Sequence, residues 1–572
     1  MKKFILISLL LPFLFIACNK DKYFKLNRPE IAPIQNVNDL EYYVTSPYNA
    51  LFQFPGWQSP IGMISYYGEL VGDIAFANPF SIEQEAIKWY PRQISTFDVT
   101  GNQMEGTFQC LYLAINNVNI PLAVIEEKEA ANLPVFTIME TGDDAKLKRQ
   151  KGELYFMRAF SYWMLSRAFM PPYNDANNNK KFIPLITKVI PTQAGMRNPE
   201  LGTVKEVYDQ MVSDLVKAKD LLPESNKRGR ATKYAASAML MRIYWLMGKN
   251  TETLAECNYI IGDAESKNVY NLTEDPIRAF NRNTESLYTN NPVAKEVIWD
   301  VPFTVEGFNQ PIPLARMSKI GAYNYNSKAG SYSPADGNWV NGLRIAGGYD
   351  NWNHGGWACA YWNPNTINYI GWATTANPQD KVDYVPSAEA LKDKRFTQLH
   401  WFLKGNVGTD LTLYAKDKYE QQFPKVNWNI FWNDKYFRAP YARYTNVPII
   451  RLPEIYLTRA SLDPSKALSD VNKVRARAGL DPLTSVTESD VEKERIKELG
   501  FEGGDRLNYL ISMKRSIDGN KISLDAIDPQ SSTNNPMVGT KIPAIDPPYS
   551  NMYVPLPAVE YLYSGTASQS GK

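Results

Sequence analysis

A chain of 572 residues with 44% hydrophobic and 21% charged side chains can bury more than one core or one extended helical array, which excludes a disordered or fibrous protein. A formal net charge of +2 gives no field of one sign, so neither nucleic acid nor an anionic surface is drawn to it electrostatically. With 4 Cys and 2 His there is no Cys-x-x-Cys pair, no disulfide framework and no zinc spacing, whereas aromatic residues reach 13%.

The first predicted element is a targeting segment. Lys2 and Lys3 precede an apolar run from Phe4 to Ala17 that is too short to span a bilayer, and Phe15-Ile-Ala-Cys18 then looks like a bacterial lipobox. Ala17 is the small residue a lipoprotein peptidase needs, and the Cys18 thiol becomes the point of acylation. Residues 1–17 are therefore expected to be removed and the mature chain to be held on a membrane by its lipid, with no later uninterrupted apolar stretch long enough to span one. Asn19 to Pro33 is polar and reads as a tether.

Leu40 to Leu51 is a short amphipathic segment, followed by a stretch punctuated by Gly and Pro through Pro60 and Gly62 to Asp73 and Pro79. Met104 to Glu127 has helical periodicity, with Pro121 expected to interrupt it. A second long helix is expected over Lys146 to Phe169, stopped by Pro171 and Pro172. Asp175 to Asn179 is a polar loop whose oxygens are too unspecific to define a cation site.

Thr203-Val-Lys-Glu206 fits a capping box, and Val204, Val207, Tyr208, Met211, Leu215 and Ala218 follow at three- and four-residue steps until Pro223. Ala235 to Met247 is apolar almost all round, with Arg242 as its one charge, as a helix packed on every side would be. Gly248 suits the left-handed residue that ends it, and Thr251 opens another helix carrying Leu254, Cys257 and Ile261. A helical hairpin of this kind cannot cover its own apolar faces and needs neighbours stacked on it.

Several of these stretches together carry a resemblance. Gly152-Glu-Leu-Tyr-Phe-Met-Arg158-Ala-Phe160, Asp214-Leu215, Leu222-Pro223 and Gly229-Arg-Ala-Thr-Lys233 in the first half are matched in the second by Glu296-Val-Ile-Trp299 and Pro448-Ile-Ile-Arg451-Leu-Pro-Glu454-Ile-Tyr-Leu457. Asn472-Lys-Val-Arg475-Ala-Arg477-Ala-Gly479-Leu480, Phe501-Glu-Gly503 and Tyr553-Val-Pro555-Leu-Pro557 complete the series. In this order, behind a lipobox, they resemble the SusD/RagB family of outer-membrane nutrient-binding lipoproteins. Pro453, where alanine is commoner, and the shortened Ala460-Ser461-Leu462-Asp463 loop depart from the pattern.

The resemblance implies a mainly α fold, a tetratricopeptide-like scaffold of helical hairpins with long loops and a few short strands. It divides the chain into the signal peptide 1–17, an amino-terminal region 18–285 and a carboxyl-terminal region 286–572. It further implies a role in polysaccharide utilisation, with the lipid anchor on the outer membrane facing the cell exterior. There the protein would bind an oligosaccharide or other nutrient and deliver it to a SusC-like TonB-dependent transporter, with no cofactor and no metal.

The residues themselves offer a ligand site within 338–372. Trp339, Tyr349, Trp352, Trp357, Tyr361, Trp362, Tyr369 and Trp372 alternate with Asn341, Asn351, Asn353, His354 and Asn363, with no helical or strand period. Pyranose rings stack their C–H faces on aromatic faces while amides answer their hydroxyls. The competing reading is a satellite aromatic core under a long connection. Trp57, Tyr66, Tyr67, Asp73, Asn78, Trp89 and Tyr90 form a second group for which the core reading is preferred. Neither His354 nor His400 is accompanied by a nucleophile motif. Glu494, Glu498, Glu502 and Asp505 evoke the carboxylate pair of a glycoside hydrolase, but with Arg495 and Arg506 among them they read as ion pairs on solvated faces. A helical adaptor that binds peptide is the alternative to a glycan-binding protein.

Overall fold

The computed structural model describes residues 34–51, 59–77, 88–96, 103–189, 199–272, 276–280, 294–304, 360–377, 381–403, 430–433, 435, 444–522 and 540–557. The targeting segment, Cys18 and the tether to Pro33 lie outside the described residues. Helix α1 (Val37–Ala50) starts on Asn36, whose side chain accepts from the backbone N–H groups of Asn38 and Asp39. Helix α2 (Pro60–Val71) replaces the turn-rich stretch expected from its Gly and Pro residues. Ser59 caps it, Pro60 sits in the first turn where no N–H is needed, and every residue in it is buried. The short strand β1 (Ala75–Ala77) follows.

Helix α3 (Gln103–Ala130) runs straight through Pro121. A proline inside a helix costs about 3 kcal/mol, but Val118, Leu122 and Ile125 carry the buried stripe across it, so packing outweighs the lost hydrogen bond. By length and hydropathy Met104–Ala130 also matches a membrane span, and 56% of its most apolar window is buried inside the protein. Its contacts with α1, α2 and α4 (Asp143–Phe169) explain that composition. Strands β2 (Lys181–Pro184) and β3 (Leu201–Thr203) pair antiparallel and lead into α5 (Val204–Leu221).

The capping box at the start of α5 is complete: the Thr203 hydroxyl accepts from the Glu206 N–H at 3.2 Å, and the Glu206 carboxylate accepts from the Thr203 N–H at 2.8 Å. Thr203→Ala is expected to lower stability by about 1 kcal/mol in urea titration, with no change in the slope of the transition. Helices α6 (Lys233–Leu246) and α7 (Asn250–Lys267) continue the array, α7 starting one residue before Thr251. Arg242, the lone charge of α6, is spent on a bidentate pair with Glu454, both bonds 2.7 Å, and on the Ile449 carbonyl at 2.6 Å.

In the carboxyl-terminal half, β4 (Val297–Thr304), β5 (Ala360–Trp362) and α8 (Pro364–Tyr369) precede the hairpin β6 (Ala373–Asn377) and β7 (Lys381–Pro386). Then come α9 (Ala388–Lys392), α10 (Lys394–Leu399), β8 (His400–Leu403), β9 (Ile430–Asn433) and β10 (Tyr444–Arg451). The run Pro448–Leu457 is half strand and half helix: α11 (Leu452–Leu462) begins after Arg451, and Pro453 is harmless in its first turn. Asp463 ends α11 and caps α12 (Pro464–Arg477), and α13 (Glu488–Leu499) and α14 (Asp505–Ser512) close the chain's helical order.

From α3 through α7 each helix packs on the next, α7 packs on α11, and α11 packs on α12 and α13. This is the mainly α, hairpin-stacked scaffold, with five two-stranded sheets among the described residues. Helix α14 returns to pack against α2, where Arg506 clasps Asp73 through bonds of 2.8 and 2.7 Å. At the same junction Gly68 and Gly504 touch: a Cβ on Gly68 would lie 2.9 Å from the Gly504 Cα.

Candidate functional site

Three strand pairings fix where the aromatic-rich part of the chain leaves the scaffold and re-enters it. In the β4–β10 pair Thr304 lies opposite Tyr444, so 305–359 starts beside the end of 436–443. In the β1–β5 pair Ala77 lies opposite Ala360, so 305–359 ends beside the start of 78–87. In the β8–β9 pair Leu403 lies opposite Ile430, closing 404–429 at its base. Strand β5 also packs on β9, which joins the second and third pairs.

Of the candidate ligand residues, Trp339, Tyr349, Trp352, Asn353, His354 and Trp357 lie outside the described residues. The other three are corrected by the structure. Tyr361, Trp362 and Trp372 are 1%, 0% and 0% exposed and belong to the hydrophobic core, so no face of theirs is offered to a ligand from solvent. Trp362 and Trp372 meet edge to face at 5.3 Å and both contact the His400 ring, at 5.4 and 5.0 Å. The Trp372 indole N–H donates to Asp393 at 3.2 Å, and His400 is buried with Nδ1 2.8 Å from the Arg395 carbonyl. Tyr369 remains half exposed, its hydroxyl donating to Glu492.

The second aromatic group is core as well. Tyr66, Tyr67, Trp89 and Tyr90 are fully buried, with Trp89 edge-on to Tyr66 and Tyr67, while Trp57 and Asn78 lie outside the described residues. Phe76 stacks on Tyr361 at 5.4 Å and leans on Tyr90 at 5.2 Å. The two groups thus meet, but through the β1–β5 pair and inside the protein.

The carboxylates near the end of the chain are ion-paired, although their faces are not solvated. Glu498 is 2% exposed and accepts from Arg451 at 2.9 Å, from Arg395 at 3.3 Å and from Arg477. Arg395 also holds Asp393 and Glu494, and Arg451 also holds Glu296 and Glu502. The Lys435 ammonium donates to Glu502 and to the Glu498 and Gly500 carbonyls. Burial alone would raise the Glu498 carboxyl, but Arg477, Arg451 and Arg395 hold it well below the usual carboxylate range. A carboxylate kept ionised and enclosed in this way is no proton donor for a glycosidic bond. Asp505 is held by Arg495 in a bidentate pair.

Sequence reasoning missed this cluster, although a signal existed. On α13 the charged residues Glu494, Arg495 and Glu498 follow Val491 at the i+3, i+4 and i+7 positions of the buried stripe, where apolar side chains are normal.

A second buried acid behaves in the opposite way. Burial pushes the Glu69 carboxyl up to about 8, beside Asp505, while the Gly504 N–H that it accepts at 2.9 Å and the nearby Arg167 and Lys435 only partly offset this. With the folded value above the unfolded one, the native state holds the extra proton, so its stabilisation is complete below the unfolded carboxylate range and is lost as pH rises through 8. Thermal melts should therefore show Glu69→Gln gaining on the parent chain from pH 6 to pH 9; parallel melting profiles would refute the assignment.

Among the described residues no group of three or more His, Cys, Asp or Glu side chains is arranged to hold a metal ion. Asn177, in the polar loop 175–179, donates its amide to the Pro172 and Pro548 carbonyls, both at 3.0 Å.

Comparison with known proteins adds the family context. Residues 60–245 match the family described as starch-binding, associating with outer membrane, and residues 295–558 match the SusD family. A SusD-like protein P2 from Formosa agariphila is 31% identical over 124 residues, a match that takes in 21% of this chain and only 22% of that relative. A SusD superfamily protein from Bacteroides vulgatus superposes with a TM-score of 0.64 at 18% identity, covering 94% of this chain and 99% of that one. A laminarin-binding SusD-like protein superposes with a TM-score of 0.59 at 17% identity, over 94% of this chain and 100% of the other.

Proposed function

Because this chain belongs to the SusD/RagB family, we propose that it is a lipid-anchored glycan-binding protein that hands its ligand to a SusC-like TonB-dependent transporter. Cys18 carries the anchor, the outer membrane holds it, and the body faces the exterior. The observation that carries the ligand assignment is the register at Ala77↔Ala360 and Thr304↔Tyr444, which places both stems of the Trp- and Asn-rich segment on rigid strands. Binding residues on loops held by a fixed scaffold are a common arrangement. Trp339, Tyr349, Trp352 and Trp357 supply stacking faces in this reading, and Asn353 and His354 supply hydrogen bonds to sugar hydroxyls. The solved relative that binds laminarin supports a polysaccharide as the ligand class. With Glu494, Glu498 and Glu502 occupied by arginines, the protein binds its ligand and leaves hydrolysis to other enzymes.

The test is native electrophoresis of the mature chain through gels containing laminarin, starch or other glycans. Retardation by one of them, lost in Trp352→Ala and Trp357→Ala at unchanged melting temperature, is the expected result. Indifference to every glycan, together with retention of a membrane protein, would favour the peptide-binding adaptor.

A further inference from the structure

We infer that the junction of α2, α4 and α14 is a small-anion site, in which the Nε/Nη2 edge of Arg167 holds a chloride ion and so ties the amino-terminal half of the scaffold to the carboxyl-terminal half. Arginines of this protein present that edge repeatedly. Arg158, Arg242, Arg395, Arg451, Arg495 and Arg506 each grip both oxygens of one carboxylate through Nε and Nη2, at 2.5–2.9 Å. On Arg167 the same two nitrogens are buried, yet no acceptor among the described residues reaches them.

The site is built by close approach. Arg167 lies one turn after Trp163 on α4, with its guanidinium 4.7 Å from that ring's centroid. Its Nη2 lies 3.1 Å from where a Cβ would stand on Gly68 of α2, and 2.5 Å from where one would stand on Gly504, the residue before α14. Glycine at both places is what lets the guanidinium reach the junction. Tyr67 and Glu69 flank Gly68 at 0% and 1% exposure, and the Tyr67 hydroxyl and Glu69 Oε2 have no hydrogen-bond partner either. The other Glu69 oxygen accepts from the Gly504 N–H at 2.9 Å. Below about 8 this carboxyl keeps its proton, so Oε2, like the tyrosine hydroxyl, is a donor without an acceptor.

Water would answer those hydrogen bonds but not the charge. Burial and the nearby Arg242 push the Arg167 guanidinium down to about 10, against the pull of Glu69, Tyr67 and Asp505, so it is still a cation at neutral pH. The ions around it are already matched: Arg242 by Glu454, Arg495 by Asp505, Arg506 by Asp73 and Lys435 by Glu502. Lys521, its amine pushed well below the usual range by burial, donates to the Leu70 carbonyl at 2.6 Å. Arg167 is left over, and an unmatched buried charge is strongly destabilising. A monatomic anion accepts from several directions at once, which is what N–H and O–H donors from different helices require.

The experiment compares thermal melts of the mature full-length chain at pH 6 in sodium chloride and in sodium gluconate of equal ionic strength, alongside Arg167→Met, which removes both the fork and the charge. The parent chain should gain about 2 °C more from chloride than the variant does, because an ion bound only by the folded state raises its melting temperature. The same gain in both chains overturns the site. If Arg167→Met does not fold, crystals of the parent chain grown in sodium bromide decide instead. An anomalous peak against the Nε/Nη2 edge of Arg167 is the expected result, and a water there with no anomalous signal refutes the inference.

Discussion

Glu498→Ala is expected to destabilise the protein by about 3–5 kcal/mol, measured by chemical denaturation, because it leaves three buried guanidinium groups without their shared counter-ion. Arg395, Arg451 and Arg477 are 0%, 2% and 6% exposed, so none of them regains water when the carboxylate goes. Glu389, at the rim, is a fitting comparison: its side chain is 45% exposed and pairs with Lys497 and Arg475, and Glu389→Ala should cost less than about 1 kcal/mol. Equal losses in the two variants would mean that water reaches the cluster. The hydrolase alternative makes a different prediction, release of reducing ends from a polysaccharide that Glu498→Ala abolishes in a folded protein.

The second large effect concerns the aromatics. Trp372→Ala should cost about 3–5 kcal/mol, since it removes a fully buried indole, the ring contacts with Trp362, His400 and Phe396, and the only donor that it offers Asp393. Trp352→Ala should leave the melting temperature unchanged and remove glycan retardation. The pair separates core from site within one stretch of sequence. A Trp372→Ala protein that melts like its parent and no longer binds glycan would reverse the core assignment.

Local signals were legible wherever structure is decided locally. The capping box at Thr203 and Glu206, the all-round apolar α6 and the stop at Pro171 follow from neighbouring residues alone. Helix α2 escaped because Pro60, Gly62 and Gly68 read as punctuation, although Ser59-Pro60 is a good helix start and Gly68 is there to let the Gly504 backbone approach. Pro121 misled for a related reason, since burial on both sides of it carries the helix through. The fate of Tyr361 and Trp362 depended on a three-residue strand pairing with β1, far away in sequence, and that of Trp372 on the rings of Trp362, Phe396 and His400; no local period announces such partners. Glu494, Glu498 and Glu502 looked solvated because their arginines, Arg395, Arg451 and Arg477, come from separate elements that only the fold brings together.

The paired stems at Thr304/Tyr444, Ala77/Ala360 and Leu403/Ile430 carry an evolutionary implication. The Leu403/Ile430 stem is a doorway of fixed width, so what is hung in it is exchangeable: a graft of 404–429 from a relative should fold on this frame. Doubling the length of such an insert adds only about 0.6 kcal/mol of closure entropy, which leaves lineages free to lengthen it while the frame itself stands still.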